Sequence, residues 1–469
     1  DCESLDDDFV AAEDMDELPD LGELDINSKE GQAALAQVYL PGTKLNEGEE
    51  LVADQSTYVM LRTMQTEWPC LSFDILADHL GDGRDGFPHT VYLAAGTQAS
   101  KASDNKVTLM KVSSLKKTQT SEDSDDEEDS DDEGADDPIL EHRDLAHKGG
   151  VNRLRAVAFP VSGVTQHHIA TWSDMGHVHI YDATQHIHAF DQPGLIPSSG
   201  SGPMHSVREH LVAAGGPRGR GTEGYALDWS LKGANNAPRL LSGDCDGRIF
   251  LTSATPSGYT TVNKPLTGHT QSVEDLQWSP NEANVFASAA CDKTIKIWDL
   301  RARRAVLSVK AHDADVNVIS WSRFSESGKP AVDYLLASGG DDGVHSVWDL
   351  RTWGQSRGAK PAPIATFHWH KAAITSIEWH PHDSSMLAVS GADDQLTLWD
   401  LALEGDNEDA LMGADGIEVP PQLLFVHQGQ KDIKELHWHR QIPGMFVSTA
   451  SDGFNLVQTI NSVPLALDE

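Results

Sequence analysis

Apolar and polar positions alternate with a period of two through most of the chain, in paired short runs. The first run of each pair carries an aromatic residue near its end: VAFP (157–160), YALDWS (225–230), VEDLQWSP (273–280), VNVISWS (316–322), ITSIEWHP (374–381) and IKELHWHR (433–440). A second, longer stretch follows each one and crosses a small-residue segment and a polar turn: IATWSDMGHVHIYD (169–182), LLSGDCDGRIFLT (240–252), FASAACDKTIKIWD (286–299), LLASGGDDGVHSVWD (335–349), LAVSGADDQLTLWD (387–400) and FVSTASDGFNLVQT (446–459). Period-two runs bounded by turn residues predict strands joined as hairpins.

The most complete copy, Gly268 to Arg301, opens on Gly268-His269 and closes on Trp298-Asp299. That order is the signature of one WD-repeat blade, a four-stranded unit that buries its faces only against like neighbours. A weaker copy from Trp68 to Val112, with strands at Cys70–Leu76, 90–97 and 106–112, raises the number from six to seven. The expected fold is therefore all-β, a seven-bladed WD-repeat β-propeller over 68–465, because closure of the ring removes exposed sheet edges. A short N-terminal helix is expected within the extension 34–67: Asp54 or Ser56 caps it, Tyr58, Leu61, Met64 and Gln65 share a face, and Pro69 ends it. The chain after Thr459, with Val463 and Leu465, is expected to complete the ring together with the N-terminal segment. Three interruptions stand out: an acidic loop (121–137), a Gly/Pro-rich loop (191–222) with a short helix around His205 to Ala214, and an acidic loop ending in Pro420-Pro421 (402–421). Long loops on a rigid scaffold are where binding function concentrates.

Charge narrows the class of partner. The 469 residues carry a net charge of −38. Residues 1–33 and 121–137 each contribute −12, which leaves −14 for the rest. Both stretches are too polar to bury a core and read as disordered. Such an acidic chain repels nucleic acid and anionic membranes and attracts basic polypeptides. Ser124 and Ser130 each have an acid three residues on, which suits acidophilic kinases that would add more negative charge. Cys2, Cys70, Cys245 and Cys291 have neither disulfide-framework nor zinc spacing, which fits a reducing compartment. No apolar run has the length of a membrane span, and the first residues do not form a signal peptide.

Histidines before the repeats (His147, His269, His312, His370, His427) and turn aspartates (Asp174, Asp246, Asp292, Asp342, Asp393, Asp452) suggest acid–base chemistry, yet their place in the repeat favours structure. A buried histidine bridged to a hydroxyl, an aspartate and a tryptophan satisfies polar groups and pins the turn. The structural set is His269, Asp292, Trp298; His312, Asp342, Trp348; and His370, Asp393, Trp399. The blades at 225–252 and 433–459 have Thr252 and Gln458 in place of the closing tryptophan. Close histidine pairs such as His177/His179 and His437/His439 lack a defined ligand set, so no metal is assigned. GGPRGRG (215–221) lacks the flanks of a phosphate loop. No nucleophile motif or triad is present, and the reading is a non-enzyme without cofactor. Two W-D-L-R endings, Trp298–Arg301 and Trp348–Arg351, match both the repeat consensus and a docking signal for ubiquitin-ligase adaptors; the consensus reading is preferred.

Taken together, EWPCLSFDILADHLGD (67–82), YLAAGTQAS (92–100), YALDWS with LLSGDCDGRI, VNVISWS, and PPQLLFVHQG (420–429) resemble the glutamate-rich WD-repeat family of ribosome-assembly proteins. That family lies in the branch that includes the histone-binding subunits of chromatin assembly complexes. The resemblance implies a nuclear and nucleolar chaperone, shuttling with the cytoplasm. It would act as a monomer that captures a newly made basic protein of the large ribosomal subunit, number three in the universal naming. The second reading is histone binding in a side groove between an N-terminal helix and the Pro-Pro loop, with Asp415, Gly416, Pro420, Pro421, Leu423 and Leu424 matching the loop. A ubiquitin-ligase substrate receptor is the third. Client contacts are expected at the mouth of the ring, from Glu223, Glu274, Asp313, Asp315, Asp341 and Asp432.

Overall fold

Each run that ends in tryptophan forms the innermost strand of a blade. Its alternating residues meet the two neighbouring blades, and both of its faces are covered. The computed structural model describes residues 53–118, 137–198, 200–210, 221–323, 334–354, 361–404 and 418–462. Seven antiparallel sheets make up the propeller: blades 1 to 6 add four strands in sequence order from the centre outward, blade 7 takes its outermost strand from earlier in the chain, and the blade-3 sheet carries a fifth short strand, Leu266–Thr267. Blade 4 is representative: Val273–Trp278, Val285–Ala290, Thr294–Asp299 and Arg304–Lys310. The seventh repeat of weaker sequence is blade 1, with strands Cys70–Ile75, His89–Thr97, Lys106–Leu115 and Ile139–Ala146. Its inner faces hold Val91, Leu93, Val107 and Leu109 without solvent exposure. Full burial of a large apolar side chain stabilises by roughly 1.5–3 kcal/mol.

Neighbouring inner strands are tied by a repeated device. The side chain of one strand accepts the backbone N–H of the next: Asp74 from Ala156 at 2.7 Å, Asp228 from Trp278 at 2.6 Å, Gln277 from Trp321 at 2.8 Å and Ser320 from Trp379 at 3.1 Å. The tryptophan indoles reach back in the same direction, Trp229 to the Arg155 carbonyl at 2.9 Å and Trp438 to that of Glu378 at 3.2 Å. Glu435 closes the circle by accepting from Phe73 N–H at 3.0 Å, which joins blade 7 to blade 1.

The ring is fastened differently from expectation. No helix spans Asp54 to Gln65; Asp54 caps a single 3-10 turn, Gln55–Thr57, and Tyr58–Met64 is a strand. This strand pairs antiparallel with Gly453–Thr459 as the outer strand of blade 7, so residues from both ends of the chain share one sheet. Tyr58, Met60 and Met64 are buried at alternate positions, so the true period is two. The partner strand supplies backbone hydrogen bonds that override local helix signals. The clasp is therefore the N-terminal strand itself, and Val463 and Leu465 lie outside the described residues.

The helix expected around His205 to Ala214 does not begin at His205: Glu209 and His210 are helical, and residues 211–214 lie outside the described residues. His205–Val207 is the short outer strand of blade 2, and a further helix lies earlier, at Thr184–Asp191. Residues 1–52 and 405–417 lie outside the described residues. The acidic tail 1–33, most of the loop 121–137, Ser124, Ser130, Asp415 and Gly416 thus lie outside the described residues.

Candidate binding face

The repeated histidine, aspartate and tryptophan assemble inside the blades. His269 bonds Asp292 at 2.9 Å and Ser288 Oγ at 2.6 Å, while the Trp298 indole donates to the same oxygen at 2.8 Å. His312 bonds Asp342 at 3.1 Å and Ser338 at 2.8 Å, and Trp348 donates to Ser338 at 2.9 Å. In blade 6 the hydroxyl sits one strand over: His370 bonds Asp393 at 2.9 Å and Thr397 at 3.0 Å, and Trp399 donates to Thr397 at 2.8 Å. Burial lowers the His269 and His312 pKa values. Burial also pushes the Asp292 carboxyl up, but the His269 ring and the Thr294 hydroxyl outweigh it and hold it well below its usual range. These side chains are spent on one another and offer nothing to a substrate.

The other blades depart from that pattern. In blade 3 the histidine is His210, bonded at 2.8 Å to both Asp244 and Ser242. Asp246, the expected turn aspartate, instead receives Arg248 and Thr222. His147 bonds the Gly149 carbonyl and Thr171, and His427 bonds Tyr58 and Asn455 in place of a turn aspartate. Among the described residues the Asp452 carboxylate receives only the Lys431 N–H, at 3.3 Å. His210 was missed because it follows no Gly-His pair and lies in a glycine-rich loop.

Strand register places the predicted client residues on one face. Val273 pairs with Ala290, Val316 with Gly340 and Ile374 with Gly391, so each inner strand begins where the second strand ends. The inner strands of neighbouring blades run in the same direction: Asp275 accepts from Ile319 N–H at 2.9 Å, and Gln277, two residues on, from Trp321 N–H at 2.8 Å. Glu223, Glu274, Asp313, Asp315, Asp341 and Asp432 all occupy inner-strand starts or the turns beside them.

Their surroundings divide them. Asp313 is exposed and paired with Lys310 at 2.6 Å; Asp432 is exposed and paired with Lys434 at 2.6 Å. Glu223, Glu274, Asp315 and Asp341 have no lysine or arginine ion pair among the described residues. Glu223 accepts from Asn152 at 3.2 Å and Asp341 from Asn317 at 2.8 Å. A bulge between Val273 and Asp275 lifts Glu274 out of the ladder, where it accepts from the Cys291 thiol at 3.3 Å. Burial raises the Cys291 pKa, and Glu274 and Asp315 raise it further; burial likewise pushes Cys245 up to about 11, with Glu274 and Glu223 adding to it. Carboxylates from blades 3, 4 and 5 therefore share one electrostatic neighbourhood, with both thiols held protonated. Burial pushes the Tyr225 hydroxyl up to about 12, with Glu223 and Glu274 adding to it, so Tyr225 shares this electrostatic neighbourhood, and it had no signal in the sequence beyond its apolar position.

Below the mouth lies a buried ion-pair cluster that sequence reasoning also missed. Glu435, at 1% side-chain exposure, meets Arg153 at 2.7 Å and Arg155 at 2.8 Å. Burial would raise its pKa, but the two arginines outweigh burial and hold it well below the usual range. Burial lowers His437, yet Glu378 at 2.8 Å and Glu435 outweigh that and raise it to about 10. The cluster joins blades 2 and 7 across the ring.

The remaining motifs have local partners. Leu423 and Leu424 begin the outer strand of blade 6, and Leu424, like Ala53 and Leu61, packs against the buried core shared by blades 6 and 7. Pro420 and Pro421 lead into that strand, while the segment from Tyr58 that was to supply a helical wall of the side groove is the clasp strand. In both W-D-L-R endings the arginine folds onto its own aspartate, Arg301 on Asp299 at 2.8 Å and Arg351 on Asp349 at 2.7 Å. Arg351 also lies 3.5 Å over the Tyr334 ring. No cluster of metal ligands occurs among the described residues.

A closed ring of seven such blades, with the repeated histidines and aspartates of blades 4 to 6 consumed in bracing and an acidic mouth on one face, defines a WD-repeat β-propeller scaffold. The WD domain, G-beta repeat, model matches residues 260–299, 303–349 and 361–400. The family model for the histone-binding protein RBBP4, which also describes a component of the CAF1 complex, matches residues 48–116. Over 428 residues the chain is 44% identical to ribosome assembly protein rrb1 of Schizosaccharomyces pombe, covering 90% of this chain and 84% of that one. It is 43% identical over 433 residues to glutamate-rich WD repeat-containing protein 1 of Dictyostelium discoideum, covering 89% and 83%. Likeness to histone acetyltransferase type B subunit 2 of Candida glabrata is weaker, 28% over 240 residues and about half of each chain. The chain belongs to the glutamate-rich WD-repeat family that contains the fission-yeast ribosome assembly protein.

Proposed function

We propose that this protein is a ribosome-assembly chaperone that captures a newly made basic protein of the large subunit, number three in the universal naming. In this reading it masks the client's charge and delivers it to pre-ribosomes in the nucleus and nucleolus. The observation that carries the reading is the acidic mouth: Glu223, Glu274, Asp315 and Asp341 lie on one face without lysine or arginine partners among the described residues. Clustered uncompensated carboxylates attract lysine and arginine and speed encounter with a basic chain. Phosphates of ribosomal RNA then compete for the same cations, which provides a route for release. The relationship to a protein named for ribosome assembly supports the same class of process.

Histone capture is the second reading, favoured by the family model over residues 48–116. Both clients are basic, so charge alone does not separate them. The direct test is affinity purification of the full chain from cells just after translation is blocked, followed by identification of the partner. A newly made large-subunit ribosomal protein is the expected result. Recovery of histones without ribosomal proteins would replace this reading with the second, and an adaptor of a ubiquitin ligase would point to the third.

A further inference from the structure

A cleft of about 480 Å³ opens beside blade 1, lined by Trp68, Glu67, Asp104, Asp144 and Lys106, with Ser201 on the opposite wall. It faces the same way as the acidic mouth. Glu67 and Trp68 immediately precede the inner strand of blade 1, and residues 98–105 form the turn between its second and third strands.

Its walls are set in place. The buried Asn105 side chain holds its turn by accepting from Ala99 N–H at 2.7 Å and donating to the Lys101 carbonyl at 3.2 Å. Ala146 N–H donates to the Ser201 carbonyl at 2.8 Å and fixes the far wall. Trp68 is partly exposed, and its indole N–H has no hydrogen-bond partner among the described residues. A partly exposed indole on a fixed wall is a strong anchor for a partner, and best of all for a cation placed over its ring.

The charge in the cleft selects the partner. Three carboxylates face one cation, and that cation is already engaged: Lys106 Nζ lies 3.0 Å from Asp144 and 3.5 Å from Glu67. The chain's own lysine thus marks where an ammonium or guanidinium is held. We propose that this cleft is a second anchor on the client face, which takes one lysine or arginine side chain of an extended basic segment against Trp68, in exchange for Lys106. The inference rests on the reading that this face receives a basic client, and it adds a site outside the mouth.

The test uses the full-length chain and a short arginine-rich peptide, with titration calorimetry at low salt. Trp68→Ala is expected to weaken binding about tenfold, and Trp68→Phe to keep most of the affinity. Lys106→Met frees Asp144 and Glu67 and is expected to tighten binding by about threefold or more. A purely structural tryptophan would not produce that opposite response at Lys106. Wild-type affinity in Trp68→Ala, or weaker binding in Lys106→Met, overturns the proposal. A variant neutralised at Glu223, Glu274, Asp315 and Asp341 separates the two sites. If it binds as wild type while Trp68→Ala does not, the mouth fails and the cleft stands; the reverse pattern leaves the mouth and removes the cleft.

Discussion

His345 is fully buried in blade 5, and neither ring nitrogen has a hydrogen-bond partner among the described residues. Its ring stacks on Phe367 at 4.9 Å and meets Trp399 edge-on at 4.7 Å, so an apolar ring suits the site better than an imidazole. An unpaired buried polar group costs about 1–3 kcal/mol. His345→Phe is therefore expected to raise stability by about 1 kcal/mol, read from the denaturant midpoint; a loss would show that the imidazole has an unseen role. The opposite case is Ser288, whose hydroxyl serves both His269 and Trp298. Ser288→Ala strands two buried partners, and a loss of about 2–4 kcal/mol is expected in the same experiment. His345 and His269 are thus both buried inside blades and differ in how well their ring nitrogens are paired.

At the level of elements, the clasp strand Tyr58–Met64 decides whether the ring holds. Met60 is fully buried on it, between blade 7 and blade 1. Met60→Asp places a charge in that seam and is expected to cost more than about 3 kcal/mol, with a large fall in melting temperature. An unaffected melting temperature would mean that the strand is dispensable to closure. The inner and middle strands were legible in the sequence because both of their faces are buried by identical neighbours, which forces the repeat pattern. The clasp was not, because its partner lies nearly four hundred residues away at Gly453–Thr459. Tyr58, Met60 and Met64 carried the right period, but Asp54 and Pro69 imitated helix boundaries. In the same way the mouth was legible as a set of acids at strand starts. Its division was not, because the neighbours Lys310 and Lys434 become partners only through the turn geometry.

For the whole molecule, the buried titratable groups set opposite limits on pH. His147, His380 and His427 are lowered by burial to about 4. A depressed histidine pKa leaves the folded state neutral while the unfolded chain takes up protons below about 6.5, so stability falls between roughly pH 6.5 and 4. His437, raised to about 10, acts in reverse: its contribution is complete below about pH 6.5 and is lost as pH rises toward 10. Stability is therefore expected to peak near neutrality, and His437→Gln should flatten the alkaline limb of a melting-temperature profile. An unchanged alkaline limb would show that the Glu435 cluster does not depend on that proton.

The charge of the molecule is divided between tracts beyond the described residues and a patterned face on the propeller. In the proposed reading, neutralising the four carboxylates is expected to weaken capture, whereas reversal of Asp313, already paired with Lys310, is expected to have little effect. The most direct measurement is the affinity of the purified full chain for the basic large-subunit ribosomal protein across a salt series. The wild type is compared with a variant neutralised at Glu223, Glu274, Asp315 and Asp341. The expected result is a loss of about tenfold or more at low salt, with a shallower salt dependence. Equal affinity and equal salt slope in the two proteins would contradict the acidic mouth as the client site.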